Sequence, residues 1–440
     1  MTAKLLLTMS LRNLWRQGRK TLGTFVVMSI SVLALCLLAG YTQSSVELIR
    51  DAFMHWGARG HLVIERPGSD LARQVEGAGQ LPLTSELQED ISSVLASDPD
   101  VVASARILRI SGMVSNAQVS SIFAGIGQDV QEIRTIKGPA YEYDVVAGTP
   151  LWMETRAEPL ILGQGLAAIL GCEIPSVGFA PLQPGDTPES RPINCPPGPL
   201  ELTATTRGTA RVNAIRAVPT GIMDWGIKEI NDRLVVLPMA DAQALLNTSD
   251  VSEYHVLLRD TADVSRAQAR IKEQLHQAGL SDIEVFLWSD RAAFYHQFKA
   301  VLSGFLNFIA IIACAIGFTS LLNASYMNFS QRSREFATLR SLGFTRRFVL
   351  TLTALENSWL ALAATALGIA ITAAIVWAVR AAQIMWTPPG STNAIPVDLA
   401  WVIPIYLATA CAVVVIAAVA SAIPTRKILS RPIRAVLSDA

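Results

Sequence analysis

Charged residues are scarce in this chain of 440 residues. They make up 16% of the sequence, against roughly 25% in an average soluble domain. Hydrophobic residues account for 51%. The 36 Lys and Arg residues balance the 36 Asp and Glu residues, so no excess of positive charge suggests nucleic acid as a partner. The composition argues against an ordinary soluble protein and favours a membrane protein.

Motifs for nucleotide, metal or covalent chemistry are also missing. No G-x-x-x-x-G-K-[ST] pattern occurs, and the glycines near residues 162–166 are too few and wrongly spaced for a dinucleotide site. Of the five histidines, none pairs with Cys or Glu at a zinc-site spacing, and His55 with His61 remains the one metal alternative. No G-x-S-x-G elbow marks a nucleophile. We therefore expect no catalytic, cofactor-binding or metal-binding residue in this chain.

Four long runs, in contrast, contain no charge. A bilayer core needs about 20 apolar residues of helix, and the runs Leu22–Tyr41, Ala300–Leu322, Asn357–Val379 and Leu399–Ile423 meet that length. The first lacks a clear small-x-small cleavage site, so we expect it to be retained. The predicted segments are a cytoplasmic amphipathic helix at 1–20, spans at 21–45, 297–324, 351–380 and 398–424, a large domain at 46–296, a cytoplasmic loop at 325–350, a short outer loop at 381–397 and a tail at 425–440.

The basic residues predict the orientation, because they accumulate on the cytoplasmic side of membrane spans. The short loop between the third and fourth spans has only Arg380 and Asp398. Both termini and the loop at 325–350 are therefore predicted to be cytoplasmic, and the large domain to lie outside. The basic residues at the three predicted cytoplasmic segments are Lys4, Arg12, Arg16, Arg19 and Lys20, then Arg332, Arg334, Arg340, Arg346 and Arg347, then Arg426, Lys427, Arg431 and Arg434.

The N-terminal segment has two alternative interpretations. Leu7, Leu11 and Leu14 recur at helical spacing with arginines on other faces, which is typical of an amphipathic helix on the cytoplasmic surface of the membrane. The same segment could instead be a cytoplasmic extension of the first span.

The outer segment of about 250 residues predicts an α+β domain. Strands are expected at His61–Arg66, Val101–Ile110, Val119–Ile126, Arg233–Leu237, Tyr254–Leu258 and Ile283–Trp288, and helices at Ser85–Ala96, Ala240–Leu246 and Val264–His276. Ser85 and Gln88 form a capping-box pattern at the first helix. The sequence thus predicts two similar α+β halves that flank a different middle, at about 132–221.

Two cysteines lie in this middle insertion. Cys36, Cys314 and Cys411 fall inside the predicted spans and are interpreted as small apolar residues. Cys172 and Cys195 lie in the outer domain, where an oxidising compartment favours a bridge that would contribute roughly 3 kcal/mol. We predict a Cys172–Cys195 disulfide, with two free thiols as the alternative.

Intramembrane carboxylates are not found within the four runs. Glu356, at the cytoplasmic edge of the third, comes nearest, so the pattern argues against a proton relay or ion path. Ala364, Gly368 and Thr372 stand at small-xxx-small spacing, which predicts close helix packing.

The layout and two motifs resemble a known family. Residues 332–347, Arg-Ser-Arg-Glu-Phe-Ala-Thr-Leu-Arg-Ser-Leu-Gly-Phe-Thr-Arg-Arg, are similar to the signature between spans two and three of the FtsX-like permeases, and Glu356 matches an acid that recurs at the start of span three. The tail from Pro424 through Pro432 to Leu437 resembles that family's usual end. Residues 161–167 and Pro238–Leu246 resemble elements of its outer domain. The family comprises the type VII ATP-binding-cassette systems, which include MacB and the lipoprotein-releasing LolC and LolE.

The resemblance implies an α-helical inner-membrane protein with four transmembrane helices and a large α+β periplasmic domain of MacB type between helices 1 and 2. The sequence does not contain the ATPase domain that MacB carries at its N-terminus, so we expect a layout closer to that of LolC and LolE than to that of MacB. ATP and magnesium would be bound by a separate ATPase subunit, in two copies. The other implied partners are a second permease, identical or related, a periplasmic adaptor or carrier, and membrane lipid.

The loop at 325–350 would contact the ATPase as a coupling helix. On a helix, Glu335 and Leu339 share one face, and Phe336 and Arg340 share the adjoining one. The predicted coupling residues are Arg332, Arg334, Glu335, Phe336, Leu339 and Arg340. The alternative is that Glu335 only pairs with a neighbouring arginine of its own helix.

The sequence leaves two functions open. One is the permease of an ATP-driven exporter or extractor for a lipoprotein, amphiphile, peptide or drug. The other is a mechanotransmitter that controls a periplasmic enzyme or sensor without transport, as FtsX does for cell-wall hydrolases. The large outer domain favours the first.

Overall fold

The computed structural model describes residues 6–10, 12–13, 18–66, 81–174, 191–207, 211–259, 263–386 and 395–429. The chain divides into two compact units, described separately below. The first, here the helical unit, comprises Met1–Glu47, Gln297–Ile384 and Pro396–Ala440, and the second, the sheet unit, comprises Leu48–His296 and Met385–Ile395.

The helices and strands have the following bounds. The helices are α1 Gly18–Asp51, α2 Ser85–Ser97, α3 Val130–Lys137, α4 Gln164–Ile169, α5 Lys228–Asn231, α6 Met239–Leu246, α7 Val264–Gln277, α8 Ala293–Gln331, α9 Ser333–Ser341, α10 Arg346–Ala382 and α11 Ile403–Leu429. The strands are β1 Leu62–Glu65, β2 Val101–Ser115, β3 Ser120–Gln128, β4 Ala147–Gly148, β5 Pro159–Gly163, β6 Leu200–Thr205, β7 Val212–Met223, β8 Leu234–Pro238, β9 Glu253–Leu258, β10 Glu284–Leu287, β11 Met385–Trp386 and β12 Ile395–Pro396.

Four helices in the described part are long and apolar enough to cross a membrane. These segments are Thr21–Trp56, Phe294–Gln331, Arg346–Ala382 and Ile403–Arg426. Each contains more than the roughly 20 residues that a bilayer core requires. The α+β domain lies between the first and second of them, so the predicted fold class is confirmed.

Small residues let the helices of the helical unit approach closely. Met28 of α1 and Leu321 of α8 are buried together with Ala361 and Ala364 of α10 and with alanines of α11. A Cβ atom on Gly368 would lie 2.9 Å from the backbone oxygen of Ser29 and 3.0 Å from the Cβ atom of Val32 in α1. The close packing predicted for the small-residue stripe of α10 is confirmed, because in membranes such residues allow backbones to meet.

The first part of the sheet unit is a four-stranded antiparallel sheet in the order β10-β1-β9-β2. Apolar residues of α2 and α7, among them Ile91 and Ile271, are buried with strand residues such as Ile64 and Val256. Each flank of the middle insertion contributes one strand–helix–strand unit. The outer strands and the helices α2 and α7 of the two predicted halves therefore share one sheet and one core.

The second part of the sheet unit is a closed barrel. The pairing runs β2-β3-β8-β5-β7-β6 and returns to β2. The long strand β2 belongs to both parts, because its first half pairs with β9 and its second half with β3 and β6. Leu108, Leu162, Leu202 and Val235 fill the barrel together with residues of α4 and α6. Closure removes the exposed edges that an open sheet of this size would present.

The capping box predicted at α2 is wrong. Thr84, not Ser85, is the N-cap residue, and its side chain makes no capping hydrogen bond. The Gln88 side chain donates to the backbone oxygens of Leu83 and Ser249, at 3.0 and 3.1 Å. Ser85 also contacts the Ser249 hydroxyl, at 3.0 Å. The two residues therefore attach α2 to a neighbouring turn, because a long-range partner outcompetes the local cap.

A disulfide joins Cys172 to Cys195. The backbone N–H of Glu173 donates to the Asn194 oxygen at 2.8 Å, and Ile174 and Ile193 pack against the barrel core. The Pro-rich residues 175–190 between them lie outside the described residues. The bridge therefore joins the two described segments on either side of residues 175–190, and both segments pack against the barrel core.

We predict that intact-mass analysis of the alkylated protein shows two additional alkylated thiols after reduction. Loss of the bridge should cost roughly 3 kcal/mol, because a closed loop of this size restricts the unfolded chain. A Cys172→Ser/Cys195→Ser variant should accordingly melt at lower temperature, and Cys411→Ser serves as the control. Equal alkylation with and without reductant would contradict the bridge.

Candidate functional site

The site predicted from sequence is the helix α9, which lies between two long helices of the helical unit. Arg332 stands at its N-terminus with non-helical torsion angles (φ −109°, ψ 14°), so the chain bends between α8 and α9. After the last turn, Gly343 adopts a φ of +94°, a conformation that glycine reaches without a steric penalty. Thr345 then caps α10 by accepting the Phe348 N–H at 3.2 Å. The sequence thus defines both ends of α9.

The inner face of α9 is apolar and fixed in place. Phe336 is buried and stacks on Phe329 of α8, with ring centroids 4.5 Å apart. Val349 of α10 completes this cluster, and Leu339 and Leu350 pack against it. Phe336 was grouped with the surface residues from sequence, but its side chain faces inward. It anchors α9 to its own chain, so we no longer regard it as a docking residue.

The outer face of α9 presents charge and one apolar side chain. Arg334 is exposed, and the Glu335 side chain is 62% exposed. Leu342, the C-cap residue of α9 directly before Gly343, is 71% exposed. Sequence reasoning missed Leu342, although its position outside the apolar stripe of Phe336 and Leu339 was a signal for exposure. The arrangement can bind a protein surface that combines a basic group with an apolar pocket.

Arg332 connects α9 to a buried acid. Its Nε donates to Glu335 at 2.8 Å, and one terminal nitrogen donates to Glu356 of α10 at 3.1 and 3.3 Å. The intrahelical pairing considered as an alternative for Glu335 is therefore present. An exposed pair of this kind contributes about 0 to 1 kcal/mol, and Glu335 remains largely accessible. The sixth predicted residue, Arg340, is half-buried.

Both histidines of the metal alternative contact other groups. The His55 ring stacks on Tyr141 with centroids 5.7 Å apart, and the Nδ1 atom of His61 accepts the Leu258 N–H at 3.0 Å. Within the described ranges, no group of three His, Cys, Asp or Glu residues could hold a metal ion.

His61 gives the sheet unit a predicted pH dependence. Burial, followed by the charges of His55 and Arg50, lowers the pKa of His61 from its usual 6.5 to about 4. The unfolded chain binds this proton below about pH 6.5, whereas the folded chain does not until about pH 4. The stabilisation is therefore complete above pH 6.5 and declines as the pH falls towards 4. Hydrogen-exchange protection of β1 and β9, corrected for the intrinsic rate, should fall between pH 7 and pH 5.

A His61→Gln variant should flatten this decline, because the amide does not titrate. His276 on α7 is exposed, so His276→Gln is the control and should behave like the unmodified chain. The same decline in His61→Gln would contradict the assignment.

Comparison with known proteins bears on residues 307–433. They match the family model described as FtsX-like permease C-terminal, and no curated protein matches the chain. The match includes α9, most of α8, and all described residues of α10 and α11.

Three solved structures resemble part of the chain. The extracellular domain of the noncanonic ABC-type transporter YknZ from Gram-positive bacteria has 12% identity, a TM-score of 0.32, and coverage of 51% of this chain and 98% of that one. The periplasmic region of MacB from Actinobacillus actinomycetemcomitans has 10% identity, a TM-score of 0.33, and coverage of 54% of this chain and 92% of that one. A domain of a putative permease protein from Porphyromonas gingivalis has 12% identity, a TM-score of 0.29, and coverage of 53% of this chain and 89% of that one. These likenesses are too distant to support a function. The family match shows that residues 307–433, which include two of the four long apolar helices and most of a third, resemble the C-terminal part of the FtsX-like permeases.

Proposed function

We propose that the chain is the permease subunit of a type VII ATP-binding-cassette complex. A separate ATPase subunit hydrolyses ATP, and the complex extracts or exports a lipoprotein, amphiphile, peptide or drug from the periplasmic side of the bacterial inner membrane. On this proposal both termini and α9 lie in the cytoplasm, and the sheet unit lies in the periplasm. The distribution of basic residues supports that orientation.

The observation that carries the proposal is the two-sided character of α9. Its inner face is fixed to α8 and α10 through Phe336, Phe329 and Val349, so the helix can transmit force to two spans. Its outer face leaves Glu335 and Leu342 accessible. A partner that covers this face would desolvate both side chains, and fully desolvated contacts carry most of the binding energy of an interface.

The proposed assembly contains two ATPase subunits and a second permease, identical or related. ATP and magnesium belong to the ATPase, and this chain supplies the contact surface. A periplasmic adaptor or carrier would receive the cargo from the sheet unit. Apart from these proteins, only membrane lipid is proposed as a partner.

The test uses two variants of the outer face, Glu335→Lys and Leu342→Asp. Each should insert and fold normally, because its side chain is exposed, and each should abolish stimulation of ATP hydrolysis by the permease. Replacing one member of a desolvated interface contact can cost about 3 to 5 kcal/mol, which is sufficient to prevent association. The measurement is ATPase co-purification and ATP turnover in mild detergent.

Matched controls come from exposed strand residues of the sheet unit. Glu201→Lys and Val212→Asp make the same changes at exposed positions and should retain full stimulation. Leu339→Asp should fail differently, because Leu339 packs in the anchor of α9 and its loss lowers stability as well as coupling. Full ATPase association in both Glu335→Lys and Leu342→Asp would refute the proposed surface.

A further inference from the structure

Glu356 is a buried acid with partners from two distant segments. Its side chain is 6% exposed and belongs to α10, the helix that follows α9 in the chain. The carboxylate accepts from Arg332 at 3.1 and 3.3 Å and from the side-chain amide of Asn13 at 2.7 Å. Three parts of the helical unit therefore meet at this carboxylate: the N-terminal segment, the start of α9, and α10.

Arg332 is the centre of this arrangement. Its side chain is only 13% exposed, and its guanidinium carbon lies 5.0 Å from the centroid of the Phe336 ring. Nε reaches Glu335 on the outer face of α9, while the terminal nitrogen reaches Glu356 inside the unit. One planar, multiply donating side chain thus connects the exposed face of α9 to the interior.

The two anchors of α9 differ in the kind of constraint that they impose. The cluster of Phe336, Phe329 and Val349 holds the helix by apolar burial, which is non-directional and permits small rotations. The Arg332–Glu356 contact is directional, because a charge-assisted hydrogen bond fixes both distance and angle. It acts at Arg332, where the chain bends between α8 and α9. The pair can therefore set the angle of α9 in a way that the apolar cluster cannot.

Stability alone gives little reason for such a pair. A buried ion pair is often replaced by apolar residues of similar size without loss of stability, whereas removal of one partner leaves an unpaired charge. A pair at the bend of a short surface helix is explained better by orientation than by stability.

We propose that Glu356 and Asn13 are positioning residues for α9. Together with Arg332 they hold the angle at which Glu335 and Leu342 face the ATPase, and they make residues 12–13 of the N-terminal segment part of the coupling site. This inference rests on the proposed function. It adds a contact between the N-terminal segment and the coupling site that neither interpretation of that segment predicts.

The test compares Arg332→Met, Glu356→Met and the double variant in the full-length protein with its ATPase. Each single variant should lower the unfolding midpoint and reduce stimulated ATP turnover, because it removes the charged partner of Glu356 or the buried one of the two acidic partners of Arg332. The double variant should regain the midpoint but remain at least about fivefold below the unmodified protein in stimulated turnover, the lower limit of a typical coupling effect. Asn13→Ala should reduce stimulation with little change in the midpoint.

Two results would overturn the inference. If the double variant regains both the midpoint and the stimulation, the pair is only structural. If Asn13→Ala keeps full stimulation, the N-terminal segment takes no part in positioning α9. Failure of the proposed function is recognised separately, because the unmodified chain would then recover no ATPase. Failure of the proposed surface is recognised because Leu342→Asp would stimulate the ATPase normally at an unchanged midpoint.

Discussion

A Glu253→Leu variant is expected to disrupt the four-stranded sheet of the sheet unit. The Glu253 side chain is 1% exposed and pairs with Arg109 at 2.8 Å. Its carboxylate also lies 2.9 Å from Nε2 of His255, whose Nδ1 lies 2.9 Å from the Ala58 backbone oxygen. Leucine would leave the Arg109 guanidinium without this partner inside the protein. Breaking a buried pair costs about 3 to 5 kcal/mol, and because the Arg109 side chain is 29% exposed we expect a loss at the lower end of that range, which is still a large fraction of the stability of a typical domain.

Hydrogen exchange measures this effect locally, which matters because a chain of two units does not unfold in one step. Protection should fall across β1, β2 and β9, while the four long apolar helices stay protected. Glu201 lies exposed on the outer wall of the barrel, so Glu201→Leu is the matched control and should leave protection unchanged. Unaltered exchange in Glu253→Leu would show that the pair contributes little to folding.

Cysteine labelling should give an all-or-none result for orientation. The predicted short outer loop contains Ser391, and α9 contains Ser333. A membrane-impermeant maleimide added to intact cells, with the outer membrane permeabilised, should modify Ser391→Cys and not Ser333→Cys. Ser333→Cys should react only after the inner membrane is opened. The physical basis is the retention of basic segments in the cytoplasm during insertion.

The native cysteines do not interfere with this labelling experiment. Cys36, Cys314 and Cys411 lie in the apolar helices and can be replaced by alanine, while Cys172 and Cys195 are bridged. Labelling of Ser333→Cys from outside, with protection of Ser391→Cys, would reverse the orientation and remove α9 from the compartment where an ATPase could reach it.

The membrane helices were predictable because their signal is local. A charge-free run of about 20 residues is sufficient to mark a span. Three of the four runs lie entirely within long helices, and the fourth, Leu399–Ile423, begins four residues before its helix starts at Ile403. The runs did not give the helix ends. For example, α1 continues to Asp51, because backbone hydrogen bonding does not stop where the apolar sequence stops.

The sheet unit was predictable in its elements but not in its topology. Most strands were indicated by β-branched residues and by turn signals. Closure of the barrel depends on β2 pairing with β6, and the four-stranded sheet depends on β2 pairing with β9. Both partner strands are far from β2 in sequence. No local pattern encodes such pairings, so the single sheet formed from both flanks could not be anticipated.

In the candidate site, too, local features were predictable from sequence and long-range contacts were not. The motif at 332–347 located α9, and periodicity gave its faces, but periodicity does not say which face the chain itself covers. Phe336 was therefore placed outside and Leu342 was overlooked. The Asn13–Glu356 contact joins residues 343 positions apart, a separation over which sequence patterns carry no information about contact.

Purification of the intact complex tests the central claim most directly. The tagged chain should be solubilised in mild detergent and recovered without added nucleotide, and every co-purifying protein should be identified by mass. We expect an ATP-binding-cassette ATPase in an equal amount, with ATP turnover that is lost together with the ATPase when Leu342→Asp is used as bait. Recovery of the folded chain without any ATPase, or equal recovery with Leu342→Asp, would contradict the assignment of α9 as the coupling site.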